Sequence, residues 1–277
     1  MNIQQALGQA SQNLSASSPS AMLDAQILLS FVLQCNTAHL AAWPEKELSK
    51  EQQSDYLQLI QQRQQGSPVA HLTGQREFWS LHFFVNNSTL IPRPETETLI
   101  EYMLTKFDHR KNLKLLDMGT GTGAIAIAIA KEKPDWQIVA SDVSNEALKL
   151  AGQNSEYHQI SNITFVQSDW FENITSTDFD IIVSNPPYIA SDDPHLQQGD
   201  VRFELLSALT SGSEGLDNIK HLGAHAAEHL NNNGWLIVEH GYNQAQQVTD
   251  CFTENKFTKI EQQQDLSGHT RMTAERL

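Results

Sequence analysis

Four consecutive residues, Asn185-Pro186-Pro187-Tyr188, carry the most specific chemistry in this sequence. They follow a short apolar run, Ile181-Ile182-Val183-Ser184, that reads as a strand. An amide or aniline-like nitrogen is a poor nucleophile because its lone pair is delocalised. A site that makes it react must hold the NH2 group by its hydrogens and aim the lone pair at an electrophile. The Asn185 side-chain oxygen and the Pro186 carbonyl are two acceptors suited to that task. The prolines fix the backbone that presents them, and Tyr188 offers a face on which a planar group can stack. Asn and Pro also build ordinary strand-ending turns, so the motif draws its weight from what precedes it.

What precedes it is a glycine loop. Leu115-Leu116-Asp117-Met118-Gly119-Thr120-Gly121-Thr122-Gly123 runs from a buried strand into a helix beginning near Ala124. Glycines let the backbone turn tightly and approach a ligand without a Cβ in the way. Asp142 ends the next strand, about 20 residues on, where a carboxylate can accept from both hydroxyls of a ribose. Gly119, Gly121 and Ala124 also fit a dinucleotide fingerprint, so a nicotinamide-cofactor protein is the first rival. Asp117 tilts the choice: a carboxylate gains nothing beside a pyrophosphate but can engage the amino group of a methionine moiety. The loop residues Gly119, Thr120, Gly121, Thr122 and Gly123, together with Asp117 and Asp142, are therefore candidate contacts to S-adenosylmethionine, which leaves as S-adenosylhomocysteine. Asp169 and Trp170, directly after the third strand, supply an acceptor and an aromatic surface for adenine, although Trp170 also suits an ordinary core position. Asn185 closes the cofactor set. Methyl transfer to nitrogen would be a direct displacement with no covalent enzyme intermediate.

The elements that position these groups are legible as changes of period. Ile3, Leu7, Ala10 and Leu14 have helical spacing, as do Leu23, Ile27 and Phe31. Ser49 and Gln52 have capping-box spacing ahead of Tyr56, Leu57 and Ile60, and Gly66-Ser67-Pro68 ends that helix. Residues 1–75 thus read as a helical domain with no chemistry of its own, suited to docking a substrate. At residues 76–92 the period becomes two: Leu81, Phe83 and Val85 alternate, Asn86-Asn87-Ser88 offers a turn, and Leu90-Ile91 resumes, predicting a hairpin. Residues 93–277 follow as the catalytic domain, opening with a helical pattern over 95–107. Strand-like runs at 113–118, 137–141, 163–166, 180–184 and 235–239 then alternate with helical segments at 124–131 and 147–157. The pattern predicts an α/β fold, an open and largely parallel sheet with helices on both faces and ligands at the carboxyl ends of the strands.

Composition bounds the partners. A length of 277 residues accommodates a domain of ordinary size and a smaller one. The formal net charge of -15 disfavours nucleic acid as a direct partner. Cys35 and Cys251 match no metal spacing or disulfide framework, which suits a reducing compartment. The start of the chain lacks signal-peptide features, and its longest apolar stretch, 124–130, is too short to span a bilayer; the expected location is the cytoplasm, with no membrane partner. His225-Ala226-Ala227-Glu228-His229 matches an inverted zinc-peptidase pattern, with His221 one turn earlier. No metal is expected there, and a solvated helix edge beside Ile219, Leu222, Ala226 and Leu230 is the preferred reading.

Taken together, these motifs resemble the HemK/PrmC family of peptide chain release factor glutamine methyltransferases. The resemblance rests on 66–74 (Gly-Ser-Pro-Val-Ala-His-Leu-Thr-Gly), Leu90-Ile91-Pro92-Arg93-Pro94-Glu95-Thr96-Glu97, the glycine loop, Asn185-Pro186-Pro187-Tyr188-Ile189, Gly199-Asp200-Val201-Arg202-Phe203-Glu204, and 265–271 (Asp-Leu-Ser-Gly-His-Thr-Arg). It departs only where Met118, Thr122 and Leu205 replace the expected Leu, Ser and Pro. What the resemblance implies is a class I S-adenosylmethionine-dependent fold with seven strands, an N-terminal helical domain and a connecting hairpin. It also implies transfer of a methyl group to the glutamine amide of the release factors' Gly-Gly-Gln tripeptide, a step that modulates translation termination. Enzymes that methylate amino groups of adenine or cytosine in nucleic acid share Asn-Pro-Pro-Tyr and form the alternative. The acidic balance and the missing Lys/Arg-rich, aromatic-interleaved segment argue against them.

Overall fold

The computed structural model describes residues 1–255 and 257–277, and the chain divides into two compact units. The first comprises Met1–Gln75 with the inserted segment His195–Phe203; the second comprises Arg76–Pro194 and Glu204–Leu277.

The first unit is helical: α1 (Ile3–Leu14), α2 (Ala21–Leu33), α3 (Thr37–Ala42), α4 (Lys50–Gln64) and α5 (Val69–Thr73). Capping boxes start α1 at Asn2 and α4 at Ser49, the second as its spacing predicts. The core joins Ile3, Ala6, Ala10 and Leu14 of α1 to Leu28 and Leu29 of α2 and to Tyr56 and Ile60 of α4. Helix α2 turns the other way from the stripe its spacing suggests. Leu23, Ile27 and Phe31 are exposed, whereas Asp24, Ala25, Leu28 and Leu29 are buried. The reason is a buried ion pair. Asp24 Oδ2 accepts from Arg63 Nε at 2.7 Å and from Ser18 Oγ at 2.7 Å, and Arg63 Nη1 donates at 2.6 Å to Asp200 of the inserted segment. A buried carboxylate needs such partners, and α2 is apolar nearly all round, so Asp24 decides which face goes inside.

The second unit opens with a hairpin, β1 (Gln75–Phe78) and β2 (Leu81–Phe84). The expected turn at 86–88 is present, with the Ser88 N–H donating to Asn86 Oδ1 at 2.8 Å, but it is not the one that closes the hairpin. The chain reverses at Trp79-Ser80, both left-handed with φ of 52° and 56°, a two-residue turn without the Gly or Asn that usually announces one. Residues 85–93 instead run as irregular chain. A 3-10 turn (Pro94–Thr96) leads into α6 (Glu97–Lys106), followed by β3 (Lys114–Met118), α7 (Ala124–Glu132), β4 (Gln137–Asp142), α8 (Asn145–Tyr157), β5 (Ile163–Gln167), β6 (Phe179–Ser184), α9 (Asp217–His225), β7 (Leu230–Glu239), α10 (Ala245–Glu254), β8 (Lys259–Gln264) and β9 (Thr270–Arg276). The seven-stranded sheet has the order β5-β4-β3-β6-β7-β9-β8, parallel from β5 to β7, with β9 antiparallel to both β7 and β8.

Both faces of the sheet are covered, which is why its strands read as continuous apolar runs. Leu115, Ile181, Val183 and Ile237 pack with α6 and α7 on one face. Their neighbours Leu116, Ile182, Leu236 and Val238 pack with α9 and α10 on the other. Strand order reverses between β3 and β6, where ligands bind in such sheets. Among the described residues, no helix is long and apolar enough to cross a membrane.

Candidate functional site

Register alone brings the three motifs together. Met118 pairs with Ser141 of β4 and with Ser184 of β6, so the next residues, Gly119, Asp142 and Asn185, emerge side by side at the carboxyl edge of the sheet. Asp142 pairs in turn with Gln167 of β5, which leads into Asp169 and Trp170. A cavity of about 560 Å³ lies there, lined by Gly119, Thr120, Gly121, Thr122, Asp142, Asp169, Trp170, Asn185, Pro186 and Pro187 among the expected residues.

The loop is held from below. The backbone N–H groups of Gly119 and Thr120 donate to the Ser141 carbonyl at 2.9 Å, and that of Gly121 donates to Asp142 Oδ2 at 2.9 Å. Asp142 Oδ1 accepts from the Ser144 N–H at 2.9 Å. Burial raises the Asp142 pKa, and the backbone N–H groups that favour its charged form pull against that rise. Asp117 is fully buried. Its Oδ2 accepts from Thr120 Oγ1 at 2.6 Å and from the Ala126 N–H at 3.2 Å, while Oδ1 has no hydrogen-bond partner among the described residues. Burial pushes its carboxyl up to about 7 against those two bonds.

Three expected contacts lie off the cavity wall. Asp117 sits behind the loop, off the wall. Gly123 serves packing: its φ is 82°, and a Cβ there would meet Ile127 Cδ1 at 2.9 Å and Ala151 Cβ at 3.1 Å. Tyr188 is off the cavity wall and half-buried, and its phenol donates to Glu239 Oε1 at 3.1 Å.

Other groups complete the wall without having been singled out as contacts. Thr89 lines the cavity with a buried, unpartnered hydroxyl. Arg93 lines it too and is ion-paired with the buried Glu204, whose Oε2 also accepts from the Ile91 N–H at 2.9 Å. Thr96 accepts from Asn185 Nδ2 at 2.9 Å. Asn154, fully buried in α8, donates to the Thr122 carbonyl at 2.9 Å and exchanges hydrogen bonds with the backbone of Phe84, tying loop to hairpin. Arg93 and Thr96 stand inside the 90–97 motif; Thr89 and Asn154 had no signal beyond their type.

The histidines are off the cavity wall. His225 ends α9, and His229 follows a further 3-10 turn, stacked on Phe171 at 4.7 Å between centroids. His225 and Glu228 are exposed beside the buried Ile219, Leu222, Ala226 and Leu230, as the solvated-edge reading expects, while His221 is half-buried and packs at 5.6 Å from Trp170. Among the described residues, no three His, Cys, Asp or Glu side chains are grouped to hold a metal ion.

Fold and site together define a class I methyltransferase. Residues 95–202 match the methyltransferase small domain and residues 5–74 the PrmC N-terminal domain. A methyltransferase from Pyrococcus furiosus superimposes with a TM-score of 0.53 at 16% identity, covering 80% of this chain and 98% of that one. Over its length the sequence is 48% identical to the release factor glutamine methyltransferase of Shewanella oneidensis, covering 98% of this chain and 94% of the relative. It is 43% identical to that of Escherichia coli, with 99% and 98% covered. The chain belongs to the release factor glutamine methyltransferase family.

Proposed function

We propose that this chain transfers a methyl group from S-adenosylmethionine to the side-chain amide nitrogen of a glutamine in a peptide chain release factor, in the Gly-Gly-Gln setting the family resemblance implies. The observation that carries this reading is the placement of Asn185 and Pro186 in the wall of the same cavity as the glycine loop and Asp142. The cavity also suits the cofactor. Asp117 Oδ1 is a buried carboxylate oxygen with no donor, as the ammonium of a methionine moiety requires, and Asp142 offers acceptors for ribose hydroxyls.

When bound, S-adenosylmethionine supplies an electrophilic methyl group on a sulfonium. Asn185 Oδ1, left open because Nδ2 is taken by Thr96, accepts one N–H of the substrate amide, and the Pro186 carbonyl accepts the other. Held by both hydrogens, the amide cannot rotate, and its nitrogen is aimed for an in-line attack. Pro186 and Pro187 keep the two acceptors at fixed spacing. The ion pair with Glu204 fixes Arg93 in the cavity wall, and the apolar lining residues limit water.

The test is transfer of labelled methyl to a purified release factor, followed by mapping of the label. Label on a glutamine side chain is expected. Asn185→Ala should lower the single-turnover rate by about 10²–10³ while cofactor affinity changes little. Label recovered in nucleic acid, or Asn185→Ala transferring at the wild-type rate, overturns the proposal.

A further inference from the structure

Asn185 is useful to an amide substrate only in one of its two orientations. With Oδ1 toward the cavity it accepts from an NH2 group; turned by 180° it would set NH2 against NH2. The two ends of the side chain are nearly alike in shape, so packing alone discriminates weakly between them. Hydrogen bonds on the far side must choose.

Behind Asn185 lies a polar cluster that ends on β7. Asn185 Nδ2 donates to Thr96 Oγ1 at 2.9 Å. A hydroxyl has one proton, and because its oxygen is receiving from Asn185 that proton must point elsewhere. Thr96 is among the side chains that favour the charged form of Glu239, which is 1% exposed. Two groups act on this carboxylate, of unequal quality. The Tyr188 phenol donates to Oε1 at 3.1 Å. Thr96 stabilises the charged form from a looser position, and Oε2 has no hydrogen bond within ordinary reach. Arg271 and Glu95 are the other charged groups that act on it, with opposite effects. Asn185 and Tyr188, the first and last residues of the four-residue motif, are therefore both referred to one acceptor.

We propose that Thr96 and Glu239 are positioning residues that set the orientation of the Asn185 amide, with Glu239 as the terminal acceptor of a relay running Asn185 to Thr96 to Glu239. This rests on the reading of Asn185 as the substrate-amide acceptor. An ionised Glu239 accepts only, so the Thr96 proton turns toward it, Thr96 Oγ1 offers its lone pair to Asn185, and Asn185 must answer with Nδ2. A protonated Glu239 can donate to Thr96 instead. The Thr96 proton then turns toward Asn185, the amide inverts to meet it, and the cavity receives an NH2 group where an acceptor is needed. Burial pushes the Glu239 carboxyl up to about 7, so this reversal falls near neutrality.

The experiment measures single-turnover methyl transfer by the full chain to a purified release factor at saturating S-adenosylmethionine. Saturation keeps the titration of Asp117 out of the rate. Thr96→Val removes the hydroxyl at nearly constant shape and should slow transfer by roughly 10- to 100-fold, with little change in the affinity for either substrate. Thr96→Ser restores the hydroxyl and should return the rate to within a few-fold. Glu239→Gln should be slow at every pH, without the fall in rate that the wild type shows as pH drops through about 7. Thr96→Val decides the matter should Glu239→Gln fail to fold. Thr96→Val at the wild-type rate beside an inactive Asn185→Ala overturns the relay and leaves the role of Asn185 standing. Asn185→Ala at the wild-type rate removes the reading on which the relay rests.

Discussion

Replacing Asp117 by Asn separates what the carboxylate does for the ligand from what it costs the fold. Asp117 is fully buried, and burial pushes its carboxyl from an ordinary 3.8 up to about 7. A difference of about 3 units corresponds to roughly 4 kcal/mol disfavouring the charged form in the ligand-free protein, an upper figure. The sign follows from proton counting. Between pH 4 and 7 the unfolded carboxyl has ionised while the folded one retains its proton, so the wild type loses stability as pH rises through that window and stays at the lower level above it. The amide introduced by Asp117→Asn keeps an oxygen for Thr120 and Ala126 and is neutral throughout, but it leaves an NH2 group without a partner, at about 1–3 kcal/mol. Asp117→Asn should therefore be more stable than wild type at pH 8 by about 1–3 kcal/mol, raising the melting temperature by roughly 2–4 °C for each. Toward pH 4 the advantage should reverse, leaving the variant about 1–3 kcal/mol less stable, because only the unpartnered NH2 group then counts. Addition of S-adenosylmethionine should raise the wild-type melting temperature and leave that of the variant nearly unchanged, because the ammonium meets an NH2 group in place of a carboxylate. Thermal melts across pH 4–8, with and without cofactor, check all of this. A variant less stable at pH 8, or one that binds cofactor as tightly as wild type, refutes the reasoning.

Other substitutions probe the supports around that site. Asp142→Ala should weaken cofactor binding by tenfold or more, since charge-assisted bonds contribute roughly 1.5–3 kcal/mol each; calorimetric affinity equal to wild type would remove Asp142 from the ribose. Gly123→Ala places a Cβ against Ile127 and Ala151 at a φ of 82°, and should lower stability by about 1–3 kcal/mol in denaturant melts. Arg63→Met strips both Asp24 and Asp200 of their shared cation and should cost about 3–5 kcal/mol in unfolding of the helical unit, followed by circular dichroism.

The parallel part of the fold was legible because its strands are buried on both faces. Runs such as Ile181-Ile182-Val183 and Trp235-Leu236-Ile237-Val238 cannot be surface chain. The final pair was not read from periodicity. β8 spells Lys-Ile-Glu-Gln-Gln-Gln at the exposed edge of the sheet, where polar residues are favoured and no alternation survives; only the family resemblance implied seven strands. The hairpin slipped for a related reason, since Trp79-Ser80 adopts a turn conformation that its residue types do not advertise. On α2, periodicity named the wrong face because Leu23, Ile27 and Phe31 make as good a stripe as the buried set, and the arbiter, Arg63, lies two helices away.

The same asymmetry governs the site. Residues that face the cavity sit in contiguous motifs, because one strand end or one loop presents them, and a reader of sequence finds them together. Residues that bond to these motifs come from whatever element packs against them: Thr96 before α6, itself on the cavity wall, Asn154 from α8, and Glu239 at the end of β7. No spacing rule connects position 96 to 185 or 239, since their proximity is set by strand order rather than by chain distance. Tyr188 shows the consequence. Its place in the motif suggests a face for the substrate, yet a buried phenol beside an available carboxylate gains more by donating to it. The motif Asn-Pro-Pro-Tyr thus divides by place: its first three residues line the cavity, and its last lies off the wall and donates to Glu239.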